Sequence, residues 1–168
     1  MPAMRSAGLL VYRVGARDRV EVLLGHMGGP YWSHKDGGAW SIPKGEYLDG
    51  EPPLDAARRE FLEETGHPAP EGATIDLGEA RQGNGKLVRI WAVEGDLDAT
   101  TMISNTFTME WPPRSGTIQE YPEFDRVAWF DLDAAVAMLV KGQVPFVGRL
   151  AERLRAGGGA GPGQTDGG

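Results

Sequence analysis

The stretch Gly45 to His67, GEYLDGEPPLDAARREFLEETGH, restricts this chain more than any other. Pro52 and Pro53 suit the first turn of a helix, where a missing N–H costs nothing, and Thr65, Gly66 and Pro68 supply a stop. The spacing predicts a helix from about Pro53 to Thr65. At about 100° per residue, Glu60, Glu63 and Glu64 fall within one arc beside an apolar stripe of Leu54, Ala57 and Phe61. Such a helix packs on a sheet with one flank and gathers carboxylates on the other. Like charges at i and i+4 destabilise a helix by roughly 0.2–0.5 kcal/mol per pair, and anions near its C-terminal end oppose the macrodipole. A divalent cation offsets that repulsion, because Mg²⁺ and Mn²⁺ prefer oxygen donors and Mg²⁺ takes carboxylates, waters and phosphate oxygens together. Taken alone, the Glu63-Glu64 pair reads as a solvated acidic face. The wider spacing changes that reading.

Gly45, Glu51 and the run Arg59-Glu60-Phe61-Leu62-Glu63-Glu64-Thr65-Gly66 resemble the signature of the Nudix hydrolases at every charged and glycine position. His67 departs from it, standing where the family usually carries an aliphatic residue. The resemblance implies that Glu60 and Glu64 ligate the cation, that Glu63 assists, and that the Gly45 carbonyl adds a ligand. It also implies that Arg59 and Glu51 orient the carboxylates from behind. An ordinary surface ion pair is the alternative for Arg59.

No cysteine is present among the 168 residues, which excludes disulfides, thiolate catalysis and cysteine zinc sites and agrees with a reducing compartment. The N-terminal MPAMRSAGLLVYRV lacks a long apolar region with a cleavage site, and no run approaches ~20 apolar residues, so a cytoplasmic protein without membrane contact is expected. A net charge of −7 argues against a broad grip on nucleic acid, which needs a basic face. Small polyphosphates stay open as ligands if a metal supplies positive charge locally.

In chain order, Ser6 to Val14 and Val20 to Leu24 are apolar, β-rich runs joined by a polar turn, and predict a hairpin. The long glycine-rich loop from His26 to Gly38 follows. In it Tyr31 or Trp32 can stack on a base and Lys35 can meet phosphate, or all three simply pack the loop down. His26 and His34 lack the partners of a zinc site and read as structural or solvent-facing. Ala39 to Gly45 reads as one strand leading into the motif. Its Trp40-x-x-Pro43-Lys44-Gly45 pattern is similar to the entry of many Nudix hydrolases, which implies that Lys44 lies beside the metal and can neutralise a polyphosphate oxygen.

Ala73 to Ala80 and Lys86 to Val93 read as strands around a glycine-rich turn, and Asn105 to Trp111 alternates as a strand does before Pro112 and Pro113 end it. Arg114 just beyond is a candidate phosphate contact. In Tyr121 to Phe130 the resemblance implies that Glu123, with Glu120 as the fallback, approaches the motif helix as an extra metal ligand or general base. Asp131 caps a predicted helix, Leu132 to Val140, with Leu132, Val136, Leu139 and Val140 on one side. A final helix, about Val144 to Arg155, carries an apolar side from Val147 and Leu150 to Leu154. Gly157 to Gly168 reads as a flexible tail after a single domain of residues 1–156.

The fold class expected is α/β, and the resemblance implies a mixed sheet between helices in an α/β/α sandwich. The activity it implies is divalent-metal-dependent hydrolysis of a nucleoside diphosphate linked to another moiety. Glu64 or Glu123 takes the proton of the attacking water, Glu63 and Arg59 support the carboxylates, and Lys44, Arg114, Tyr31 and Trp32 meet the substrate. The substrate expected is a nucleoside triphosphate or a dinucleoside polyphosphate, and the chain a monomer or homodimer. A non-catalytic nucleotide- or nucleotide-sugar-binding module is the alternative, which the intact Glu60, Glu63 and Glu64 disfavour.

Overall fold

Strands that are apolar along their whole length need cover on both faces. In the computed structural model, which describes residues 5–159, that is how the first strands are placed. The chain runs β1 (Arg5–Val14), β2 (Val20–Met27), β3 (Trp40–Ser41), β4 (Lys44–Glu46), α1 (Pro53–Thr65), β5 (Thr74–Arg81) and β6 (Leu87–Glu94). It continues with β7 (Thr106–Glu110), β8 (Ile118–Pro122), β9 (Phe124–Asp131), α2 (Leu132–Met138) and α3 (Val144–Gly159).

Seven strands form one mixed sheet, with the path β3-β2-β1-β6-β5, β4 beside β1 and β9 beside β2. β1 and β6 run parallel; the other pairs are antiparallel. Alternation sorts the side chains into two cores. Leu10, Tyr12, Val22, Leu24, Val88, Ile90 and Ala92 face α2 and α3 through Ala135, Leu139, Phe146, Val147 and Leu150. Ala7, Leu9, Val11, Leu23, Trp91 and Val93 face α1 through Ala56, Ala57 and Phe61. The α/β/α sandwich expected from the resemblance is therefore present, with the motif helix alone on its side of the strands.

Three expectations change. The lead-in over Ala39 to Gly45 is two short strands, not one: β3 pairs with β2, and β4 pairs with β1. Pro43 has no N–H for a ladder, and the Ile42 N–H turns away to the buried side-chain oxygen of Gln143 at 2.8 Å. Second, the helix after Asp131 stops at Met138, and Val136 is 46% exposed. The Val140 N–H donates to the Trp40 carbonyl, which draws the chain out of the helix, and Ala135 and Leu139 are buried in place of Val136. The Asp131 cap itself is present, its carboxylate accepting from the Ala134 N–H. Third, residues 157–159, placed in the tail by composition, continue α3; the rest of that tail, 160–168, lies outside the described residues.

Gln143 comes from the connection between α2 and α3 and holds Ile42, just ahead of the β4 strand that carries Lys44 and Gly45, its amide nitrogen also donating to Ser41 Oγ. Gln143→Leu leaves the buried Ile42 N–H without an acceptor, at a cost of about 1–3 kcal/mol. The expected result is a melting temperature lower by about 2–4 °C per kcal/mol in a domain of this size, read by thermal unfolding.

Candidate active site

The site is assembled by backbone hydrogen bonds that start at the end of α1. Gly66 closes the helix in the left-handed conformation, φ 76°, donating its N–H to Leu62 O. The chain that returns after β6 then takes up the carbonyls left over: Ile103 N donates to Thr65 O and Asn105 N to Glu63 O, both at 2.8 Å. Asn105 O accepts from Glu123 N at 2.8 Å, and Glu123 O accepts from Gly28 N at 2.9 Å. Helix end, β7, the start of β9 and the end of β2 are thus tied in sequence, and Glu123 is delivered beside α1.

On the inner side of α1, Glu64 is 8% exposed and accepts the Lys44 N–H at 3.1 Å. The Glu60 carboxyl lies where a Cβ on Gly45 would stand, about 2.0 Å from that position, so any side chain at 45 would displace that carboxyl. Burial pushes the Glu64 carboxyl well above its ordinary range, and the Glu60 charge adds to the effect. Burial raises Glu60 as well, against the pull of Arg59, with Glu63 and Glu123 adding repulsion. Glu123 is raised by burial and lowered by Lys44. Glu64 is therefore within electrostatic reach of Glu60, Glu123 and Lys44, and Glu60 of Glu123.

Arg59 fixes this group from behind. Its Nε and Nη2 grip both oxygens of Glu51 at 3.0 and 3.1 Å, and Nη1 reaches Glu60 at 2.8 Å and the more exposed Glu63 at 3.4 Å. The guanidinium depresses Glu51, and its own proton is held more tightly in return.

The structure separates Glu123 from its fallback, since Glu120 lies exposed on β8 and accepts from Thr106 Oγ1. Trp32 is turned inward and packs against the core under α2 and α3. Tyr31 is 56% exposed and meets Trp111 edge to face, ring centroids 5.1 Å apart. Arg114 occupies the exposed turn between β7 and β8, and its side chain makes no ion pair among the described residues. Lys35 sets its ammonium over Trp32, 5.3 Å from the ring centroid. Sequence reasoning missed Asn105, whose role is carried by its backbone, and Trp111, which lies eighty positions from Tyr31 along the chain and gives no local signal of that contact.

Among the described residues no three Asp, Glu or His side chains already converge as a closed metal cage. The donor chemistry nonetheless fits a hard divalent cation: all the oxygens are carboxylate or carbonyl, and two carboxyls are buried against each other's charge. The Gly45 peptide lies against one of them.

Two tests follow from this geometry. A carboxyl raised on folding stabilises the protein while protonated, and that contribution is lost as pH rises through the folded value. Glu64→Gln keeps an acceptor for the Lys44 N–H and removes the charge. The metal-free variant is expected to melt above the wild type near neutral pH, the difference closing towards acid pH in a melting series. Arg59→Lys keeps the charge and loses the two-pronged grip on Glu51. A fall of about 10–100-fold in metal affinity or turnover is expected, measured by metal titration and steady-state kinetics.

Comparison with known proteins agrees with this architecture. The model of the NUDIX domain family matches residues 2–150. A search of curated proteins by sequence found no match. A Caenorhabditis elegans Ap4A hydrolase binary complex superposes with a TM-score of 0.61 at 20% identity, covering 92% of this chain and 99% of that one. The NUDIX domain of Shewanella oneidensis NrtR complexed with ADP ribose gives 0.60 at 14% identity, covering 92% and 90%. A mutT/nudix family protein from Listeria innocua gives 0.62 at 15% identity, covering 93% and 96%. At these identities the likeness concerns the fold, while the family match spans nearly all of the chain: it belongs to the Nudix family of pyrophosphohydrolases.

Proposed function

We propose that this chain cleaves a nucleoside diphosphate linked to another moiety, a nucleoside triphosphate or a dinucleoside polyphosphate, by attack of water on phosphorus. What supports this reading is that Glu64 accepts the Lys44 N–H at 3.1 Å, the Glu60 carboxyl lies against Gly45, and Glu123 is tied to the end of α1 through Asn105. Glu60 and Glu64 are the residues to hold Mg²⁺ or Mn²⁺, with Glu63, Glu123 and the Gly45 carbonyl as further donors. That cation supplies positive charge to the phosphate oxygens and acidifies water.

The remaining chemistry belongs to the chain. Glu64 or Glu123, both raised by burial, accepts the proton of the water whose oxygen bonds to phosphorus. The phosphoanhydride bond breaks and its electron pair stays on the leaving phosphate, where the Lys44 ammonium offsets the charge. Arg59 keeps Glu60 and Glu63 aimed into the cleft. The exposed Tyr31 serves as a face for the base, whereas Trp32 holds the loop to the core. Arg114 reaches the distal phosphates from the β7–β8 turn. The protein works as a monomer or homodimer in the cytoplasm on a small-molecule nucleotide, without nucleic acid or membrane. No helix among the described residues is long and apolar enough to cross a membrane.

Purified protein with Mg²⁺ or Mn²⁺ is to be presented with dinucleoside polyphosphates, nucleoside triphosphates and nucleotide sugars, and the products resolved by chromatography. Metal-dependent cleavage of one of the first two classes is expected. Glu64→Gln and Glu123→Gln are expected to lower turnover, the larger loss marking the base, typically about 10²–10⁴-fold. Tight nucleotide binding without turnover overturns the enzyme reading in favour of a sensing module.

A further inference from the structure

His26 is the one titratable side chain in the apolar stretch of β2, and it is 1% exposed. Its Nδ1 lies 2.8 Å from Asp125 Oδ1 and its Nε2 2.6 Å from the Lys35 carbonyl oxygen. Trp40 stands edge-on to the ring, centroids 5.2 Å apart. Both hydrogen-bond partners are acceptors. A neutral imidazole carries one N–H and satisfies one of them, whereas only the doubly protonated ring donates to both.

The two partners belong to separate parts of the site. Lys35 lies in the loop between β2 and β3 that exposes Tyr31, and Asp125 stands on β9 two residues beyond Glu123. The other charges around the ring are already matched. Asp36 accepts from Trp40 Nε1 at 3.0 Å and faces Arg126 at 3.6 Å, Arg126 lies over the Trp40 ring, and the Lys35 ammonium lies over Trp32. The Asp125 carboxylate is thus the charge that faces His26 directly.

We propose that His26 is a positioning residue, which in its doubly protonated form fastens the loop bearing Tyr31 to β9 and so sets the grip on the nucleoside end of the substrate. When the ring loses a proton, the remaining N–H stays with the charged Asp125. The Nε2 lone pair is then left 2.6 Å from the Lys35 carbonyl, and that contact turns repulsive. The loop loosens at its midpoint while the carboxylate cleft on α1 keeps its shape. The effect on substrate rests on the loop contacting the nucleoside, as assigned above; the fastening of the loop does not.

The test uses the full chain labelled with ¹⁵N on histidine. His26→Gln identifies the His26 ring among the three histidines. The ring nitrogens are followed by NMR across a pH series. Hydrogen exchange of residues 30–37 is followed in parallel, corrected for its intrinsic pH dependence and referred to residues 82–86. The ring is expected to pass from two protons to one as pH rises, and loop protection to fall with it. KM for the cleaved nucleotide is expected to rise about tenfold while kcat relative to His26→Gln stays level, a change of the size of one hydrogen bond to a charged group. Asp125→Asn, which removes the charge that favours the protonated ring, is expected to move the transition to lower pH. A ring that holds a single proton throughout, or loop protection that ignores its titration, overturns the proposal. If no nucleotide is turned over, it is the functional reading that fails, and the ring and loop measurements still decide the role of His26.

Discussion

Everything in this molecule depends on keeping two carboxyls of one helix out of bulk water without letting them drive the helix from the sheet. Glu60 and Glu64 lie on the flank of α1 that faces β4, and their burial disfavours the charged forms that a cation requires. The protein offsets this with local partners: the Lys44 N–H for Glu64, the Arg59 guanidinium for Glu60, and the absence of a side chain at Gly45. What remains is a set of carboxyls raised by burial and by one another's charge, the oxygen-donor chemistry that suits a hard divalent cation.

The sheet supports that arrangement through strands covered on both faces. β1 lies between the two cores and pairs with β2, β4 and β6, so the residues that deliver Lys44 and Gly45 are anchored to the most buried strand. Gly8 is pressed against Pro43 O and the Lys44 side chain, a contact that any Cβ on Gly8 would disrupt. Gln143 from the opposite layer holds Ile42. Rigidity at the entry to α1 therefore comes from both sides of the sandwich, although the chemistry lies on one.

The motif helix was legible to the residue, because Pro52-Pro53 and Thr65-Gly66 are strong local signals and the apolar stripe has helical period. The first hairpin and the strand pair around residues 82–86 were legible for the same reason. β8 was not: Ile118-Gln119-Glu120 has no buried face, since β7 and β8 form a two-stranded ribbon off the main sheet, and alternation marks a strand only where one face is covered. Val136 misled because helical periodicity locates an apolar stripe but not which part of it the sheet covers. His26 read as structural or solvent-facing because its partners, Asp125 and the Lys35 carbonyl, lie 99 and 9 positions away.

The sequence alone determined the motif helix and the carboxylates it carries, since their spacing and the helix caps are properties of neighbouring residues. It determined as well the hairpin of the first two strands, whose apolar runs flank a polar turn. Only the tertiary structure decided which distant groups stand beside α1. Glu123 rather than Glu120 comes near Glu60 and Glu64 because a relay of backbone bonds through Asn105 ties the start of β9 to the end of α1. Tyr31 rather than Trp32 faces outward because Trp32 is taken up by the core. Such choices turn on long-range pairing and packing, which act between residues that share no local pattern.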